Sequence, residues 1–483
     1  MKKWITLAIL AVGFTSCAED ALDTENKEFV AQEQLQALAA NPESLLTYTN
    51  SVEDGTNSFL RQYKTYQGTT SSSHDDYGQK SIEFGLDLMS ENTPMLVNQW
   101  ASGYYTYTGR VQESRITTKV WNFYYTVIRD ANLILATTPA DIESQELRYT
   151  RGRLLALRGF SYFNLIRLYA DGEKGIPLRT LEANQDERVA TSVIVAQAKA
   201  DLEEAYDLLG GFARTSKVQI DQNVVAGILA RYYLEYGNYA QAATMARQAY
   251  NSAAPDTEAT LLDGFDEITS PSWIWGAEIT AITSGIYASF FSQVGTLNPG
   301  YAGLLGHYKA IDKRLYDKLS PTDIRTQNWF AEPGNADYPA YVNFKFVDAT
   351  FFEGDYVFMR TAEMLLIEAE AKALNGDNAG AQAVLSEFMA VRDPQYTASS
   401  NVNNSVLDMI RTQRGIELWG EGFAFYDMKR WNNALVRDYP GSNHPAFGKN
   451  LNYPANSPKF QLQIPIAELN ANPSINAADQ NAQ

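Results

Sequence analysis

The sequence is poor in the residues from which most reactive sites are made. It has one cysteine and three histidines in 483 residues. One cysteine excludes an internal disulfide and a cysteine-built metal cage. The histidines, His74, His307 and His444, are far apart and match no metal-ligand spacing, so histidine-dependent nucleophilic chemistry is poorly supplied. Positive charge is also short: 39 Lys and Arg face 57 Asp and Glu, a net charge of −18. That balance argues against nucleic acid as a partner and against an electrostatic hold on anionic lipid. No stretch is long and apolar enough to span a bilayer. No glycine-rich phosphate loop stands between a strand and a helix, and there is no nucleophile elbow.

The one cysteine has an informative position. The chain opens with Met1-Lys2-Lys3, runs apolar from Trp4 to Phe14 and reaches Cys17 through small residues. This pattern resembles a bacterial lipoprotein signal, which is cut before the cysteine so that its thiol takes a diacylglycerol. Ser16 suits the position before the cut, while Phe14 stands where such signals prefer leucine. The other reading is an ordinary secretory signal with a chance cysteine, which would leave a reactive thiol exposed. The lipoprotein reading makes residues 1–16 the signal, Cys17 the lipid attachment point and residues 17–27 a polar tether. Acyl chains then anchor the protein to a membrane that it does not cross. Ala18-Glu19-Asp20 resembles the acidic signal that sends lipoproteins of Bacteroidetes to the cell surface.

Hydrophobic residues make up 45% of the chain and aromatic ones 12%, with 29 Tyr and 8 Trp. Such a chain is globular, and its Tyr and Trp offer flat apolar faces beside polar groups, which suit sugar rings and ordinary cores alike. Apolar residues recur at helical spacing over 117–137, 145–169, 191–209, 221–235, 239–252, 357–375, 378–391 and 404–430. Two neighbouring pairs share a turn pattern, Tyr236-Gly237-Asn238 in one and Asn375-Gly376-Asp377 in the other. With alanines at facing positions they resemble tetratricopeptide helix pairs, the simpler alternative being generic helical hairpins. Irregular stretches rich in Gly, Ser, Asn, Pro and aromatics fill 60–115, 253–350 and 432–483. Long loops on a rigid helical body usually carry function, so the ligand site is expected there, mainly within 60–115 and 253–350.

Four ordered motifs then resemble the SusD/RagB family. They are RGRLLALRGFSYFNLIRLYADGEKGIPL (151–178), VFMRTAEMLLIEAEAKALNGD (357–377), IRTQRGIELWGEGFAFYDMKRW (410–431) and FQLQIPIAELNANPSINAADQN (460–481). Two departures are Gln413, where the family usually has Glu, and Gln463-Ile464-Pro465, with one proline where two are common. The resemblance implies a mainly α protein. Residues 28–483 would form a single SusD-like body of four tetratricopeptide-like helix pairs in a right-handed scaffold, with the helices mainly within 117–252 and 357–430. Long irregular loops with few short strands would cover it. It further implies a surface-exposed, outer-membrane lipoprotein that binds oligo- or polysaccharide, has no catalytic activity and no cofactor, and delivers its ligand to a TonB-dependent, SusC-like transporter.

Candidate ligand contacts come from the two loop regions rather than from matched motif positions. In 71–109, Asp75, Asp76, Asp87, Glu91, Asn92 and Asn98 supply hydrogen-bonding groups, and Trp100, Tyr104, Tyr105 and Tyr107 supply rings. In 271–301 the rings are Trp273, Trp275, Tyr287, Phe290, Phe291 and Tyr301, and the two indoles point to one side if the segment is extended. Trp100, Tyr104 and Trp273 lead this group. The bland reading is that many of these aromatics fill gaps under long loops. Ser73-His74-Asp75-Asp76 also offers oxygens to a calcium ion, without EF-hand spacing. Glu417 and Glu421, one helical turn apart, have the residue types of a glycosidase pair. The weightier reading makes Arg414, Glu417, Glu421, Asp427 and Arg430, with Arg360, Glu363, Glu368 and Glu370, ion pairs between helices. Three other functions use the same scaffold or residues: peptide capture, a surface glycosidase, and a structural lid with little ligand affinity.

Overall fold

Side-chain caps set where the longer helices begin. Ser114, Ser144, Asp221, Asp377 and Ser405 each accept a hydrogen bond from a backbone N–H in the turn that follows, satisfying donors that have no partner within a helix. The computed structural model describes residues 41–61, 74–298, 300–397 and 405–482. The signal at 1–16, Cys17 and the tether at 17–27 lie outside the described residues. Helices of seven or more residues are α1 (Pro42–Arg61), α2 (Gln79–Met89), α3 (Arg115–Leu135), α4 (Gln145–Tyr169), α5 (Thr191–Leu208), α6 (Gln222–Glu235), α7 (Tyr239–Tyr250), α8 (Thr361–Leu374), α9 (Asn378–Met389), α10 (Val406–Glu417) and α11 (Ala424–Arg430). Two antiparallel strand pairs accompany them: β1 (Leu178–Arg179) with β2 (Asn184–Gln185), and β3 (Trp273–Ala277) with β4 (Tyr356–Arg360).

The architecture is mainly α with few short strands. From α3 to α9 each helix packs against the one before it, and α10 closes on α8 and α9. The hairpins α6–α7 and α8–α9 turn at Gly237 and Gly376, with φ 78° and 86°, a left-handed geometry that glycine adopts without strain. Helices α7 and α8 touch although residues 251–360 intervene, so this long insertion leaves and rejoins the row. No described helix is long and apolar enough to cross a membrane.

The insertion is tied down by buried charge. Arg360, at the end of β4, donates to Glu417 Oε1 (2.7 Å) and to both oxygens of Glu421 (2.9 and 2.7 Å). Glu417 also accepts from Arg392 (2.8 and 2.7 Å) and Arg325 (2.9 Å). Lys345 donates to Glu421 (2.6 Å) and to the carbonyls of Glu417 and Trp419 (2.7 and 2.9 Å). Asp256 faces Arg392, and Asp323 faces Arg325. Gln413, the amide that stands where the resembled family has an acid, accepts from Arg325. Arg325 already faces two carboxylates there. The side chains of Arg325, Lys345, Arg360 and Glu417 have no solvent exposure.

Burial alone would raise both carboxyls. The charges of Arg392, Arg360 and Arg325 outweigh it at Glu417 and hold that group well below the usual carboxylate range. Those of Arg360 and Lys345 hold Glu421 at about 2. A glycosidase acid needs a raised pKa and access to substrate, and this pair has neither. The other motif charges pair similarly: Glu363 with Arg231, Glu368 with Arg247, Glu370 with Arg430, and Asp427 with Arg414. Removing one member of a buried pair leaves an uncompensated charge. Glu417→Gln is therefore expected to lower stability by about 3–5 kcal/mol, read as the midpoint of guanidinium chloride denaturation. A change within about 0.5 kcal/mol, the size of an ordinary surface substitution, would show that the cluster does not hold the fold.

Candidate functional site

The two loop regions expected to carry the site meet in space. Backbone hydrogen bonds run from Leu96 N to Tyr308 O (3.1 Å), from Ala310 N to Pro94 O (3.0 Å) and from Asp312 N to Asn92 O (3.0 Å). They join the segment after α2 to the middle of the insertion. Beside this seam lies a platform of rings. Trp100 stacks on His74 (centroids 4.6 Å apart, planes at 9°) and on Tyr301 (5.0 Å, 29°), and His307 meets it edge-on (5.8 Å, 61°). Tyr301 touches Tyr287 (4.9 Å), Tyr287 touches Phe352 (5.9 Å), and Phe351 adjoins Phe352 (4.6 Å). Tyr287 is 48% exposed and Phe351 72%, with Ile282 and Leu304 also exposed. His74, Trp100, Tyr301 and His307 are half-buried.

Local structure delivers these rings. Ser289 caps the short helix Phe290–Val294, whose two phenylalanines are buried anchors. A Cβ at Gly300 would stand 2.4 Å from Ser292 Cα, so glycine lets the chain cross close above that helix before Tyr301 opens the next one. Ile286, Asn298 and Phe352 have φ of 50°, 45° and 63°. Left-handed backbone in non-glycine residues costs on the order of 1–3 kcal/mol each and gathers at binding and catalytic sites.

Polar groups surround the rings. Both ends of the Gln99 amide, Gln293 Oε1, His74 Nδ1 and His307 Nδ1 are buried with no hydrogen-bond partner among the described residues. Lys309 donates to the carbonyls of Gln293 (2.6 Å) and His307 (3.1 Å), and burial pushes its ammonium down to about 7. Burial and the Lys309 charge lower His307 as well. Flat apolar faces beside unsatisfied donors and acceptors match a ligand with C–H faces and hydroxyl edges.

Of the sequence candidates, Trp100, Tyr287 and Tyr301 fall in the platform. The others do not, and each has a physical reason. Trp273 and Trp275 lie in β3, which is buried along its whole length. Trp275 packs on Phe160 and Phe358, so the expectation of two indoles facing a ligand is corrected. Tyr104 is buried with its ring over α2, where a Cβ on Gly85 would come within 2.6 Å of it. Tyr105 is buried beneath Arg437 (4.1 Å), and its hydroxyl bonds His444 Nδ1 (2.6 Å). Asp75 is buried and holds Arg115 (2.7 Å). Asp76 is buried beside the charges of Arg115 and Lys119. Asn92 lines a different hollow, shared with Leu315 and Gly415.

Of the further sequence candidates, Tyr107, Asp87, Phe290 and Phe291 are also buried. Among the described residues no group of three His, Cys, Asp or Glu side chains is arranged to hold a metal ion. The sequence reading missed His74 and His307 as neighbours, since 233 positions separate two residues that touch one indole. Their rarity was the available signal.

Comparison with known proteins gives a consistent result. The SusD family model matches residues 332–482, and a second model, described as starch-binding and associating with the outer membrane, matches residues 42–234. No curated protein matches. The solved structures include a SusD-like carbohydrate binding protein from Bacteroides vulgatus, 25% identical, covering 91% of this chain and 98% of that one with a TM-score of 0.76. A SusD superfamily protein from Bacteroides thetaiotaomicron is 22% identical, covering 90% of this chain and all of the other, at 0.72. A laminarin-binding SusD-like protein is 19% identical, covering 90% and 98%, at 0.64.

Core and platform rings should respond differently to truncation. Trp273→Ala is expected to cost about 3–5 kcal/mol in denaturant unfolding, and Tyr287→Ala no more than about 0.5 kcal/mol. Equal costs would contradict this division between core and platform.

Proposed function

We propose that this chain, which belongs to the SusD/RagB family, binds glycan on the platform of Trp100, Tyr287 and Tyr301 and holds it without cleaving it. The observation that carries the reading is the ring cluster itself: partly exposed rings, contributed by two distant loops, with buried unsatisfied polar atoms beside them. Sugars present an apolar face and a hydroxyl rim, so this combination suits them better than it suits an anion or a purely apolar ligand. The relatives, one a carbohydrate binding protein and another a laminarin-binding one, support the same ligand class.

In this reading the protein is held at the outer membrane by a lipid on Cys17, faces the cell exterior and passes its glycan to a TonB-dependent, SusC-like transporter. The outer-membrane association of the matched family supports the location. Cys17→Ala is expected to move the protein from the membrane fraction to the soluble fraction of cells. Retention in the membrane would overturn the anchor.

Ligand binding is tested by native affinity electrophoresis of residues 18–483 through plant, fungal, algal and bacterial polysaccharides, laminarin and starch included. At least one is expected to retard the protein. Truncating a central aromatic anchor costs about 2 kcal/mol or more, so Trp100→Ala and Tyr301→Ala should each weaken that binding about 30-fold. No retardation by any polysaccharide would sink the glycan reading, leaving peptide capture or a lid with little affinity of its own.

A further inference from the structure

The insertion carries a second aromatic surface that the platform does not use. Directly after His307, Tyr308 packs edge-on against Tyr338 (5.9 Å, 77°), and Tyr338 against Phe344 (5.2 Å, 78°). Phe344 joins Phe330 and Tyr316 in lining an open cleft of about 440 Å³, within the range of ligand sites. Phe330 is the buried floor, and Tyr316 and Phe344 are half-exposed rings. Tyr316 stands edge-on to Phe330 (6.5 Å, 83°) and to Tyr341 (5.0 Å, 62°).

The rim is polar. Gln327 and Glu332 are exposed there. Asn335 accepts at Oδ1 from the N–H groups of Asp337 (3.0 Å) and Tyr338 (2.9 Å), which leaves its NH2 group as a donor.

Two further features mark this cleft. Tyr341, whose ring supports Tyr316, has φ of 72°. That is a strained geometry for a bulky residue, and the platform shows the same strain at Ile286 and Phe352. The charge of the lining is also selective. Among the described residues Glu332 is its one carboxylate and no cation lines it, so an anionic ligand meets no counter-charge from them. Rings, an amide donor, an amide that donates and accepts, and one carboxylate acceptor together suit a neutral sugar.

We propose that the cleft of Tyr316, Phe330 and Phe344 is a second subsite for neutral glycan, engaged by the same polymer that binds the platform. His307 touches the platform, and Tyr308 beside it reaches the cleft's Phe344 through Tyr338, which links the two. The inference rests on the glycan reading of the platform. A polymer that reaches both surfaces binds the second from a high effective concentration, whereas a short oligosaccharide gains nothing from the pair.

The test compares the wild type with Trp100→Ala, Gln327→Ala, Phe344→Ala and the double variant Trp100→Ala/Gln327→Ala. Each is run through gels carrying the polysaccharide that retards the wild type, from a panel including laminarin and starch. Calorimetry with a trisaccharide of that polymer reads binding without bridging between the two surfaces. Gln327→Ala and Phe344→Ala are expected to weaken polymer binding about ten-fold and to leave trisaccharide binding at Trp100 intact. Trp100→Ala should keep a residual retardation that the double variant loses.

If both cleft variants run as the wild type while Trp100→Ala abolishes retardation, the second subsite is refuted and the platform stands. If no polysaccharide retards the wild type, both readings fall. Should Phe344→Ala lose its circular dichroism signal, Gln327→Ala decides, because an exposed side chain leaves the core untouched.

Discussion

The insertion that carries Tyr287 and Tyr301 is held to the helical body at one buried anion, Glu417. Three guanidiniums from different parts of the chain converge on it: Arg360 from the end of β4, Arg392 from just after α9 and Arg325 from within the insertion. Lys345, also in the insertion, binds the adjoining Glu421 and the carbonyls around it. A buried charge is costly unless fully partnered, so the cluster tolerates few other arrangements. It therefore acts as a register pin. The insertion that leaves after α7 and returns before α8 is fastened here to the end of α10, and again at the seam with residues 92–96 and through β3, so that the loops between these points serve the surface.

The pin also separates two uses of aromatic residues. Close to it, Trp329, Phe265, Phe346 and Trp419 pack edge to face or stacked around the buried Lys345 and Arg360. There the rings shield charge and fill space. Beyond the seam of residues 92–96 with 308–312, Trp100 stacks on Tyr301, Tyr301 meets Tyr287 at a tilt, and the rings are partly open to solvent. The same residue types do opposite work, and the difference is whether backbone or charge covers the second face of each ring.

That difference explains what was legible in the sequence. The helical row was readable, because apolar spacing, capping serines and aspartates, and the turns at Gly237 and Gly376 are local signals. The pairing role of the motif charges was readable too, since Arg360 ends a buried strand, Glu417 ends a helix and Glu421 lies in the buried turn that follows it. The candidate site was legible as two regions but not as residues. Tyr104 and Tyr105 look like Trp100 in sequence, yet Gly85 and Gly448 receive their rings, and a glycine 19 positions away or 343 positions away gives no local cue. Trp273-Ile274-Trp275 reads as an alternating strand with one free face. The pairing of β3 with β4 and the cover supplied by Phe160 on α4 remove that face.

Of the non-glycine residues with left-handed backbone, Ile286, Asn298, Tyr341 and Phe352 belong to the insertion loops around the exposed rings. Such conformations persist where the surrounding structure over-determines them, and the cluster at Glu417 with the seam to residues 92–96 supplies that determination. A helical body this rigid can carry loops held in unfavourable shapes, and loops so held present rings in fixed mutual positions. Fixed rings lose little conformational freedom when a ligand settles on them. Stiffness in the core is thereby converted into a preformed surface. A weakly directional contact such as ring stacking needs that preparation if it is to discriminate between ligands.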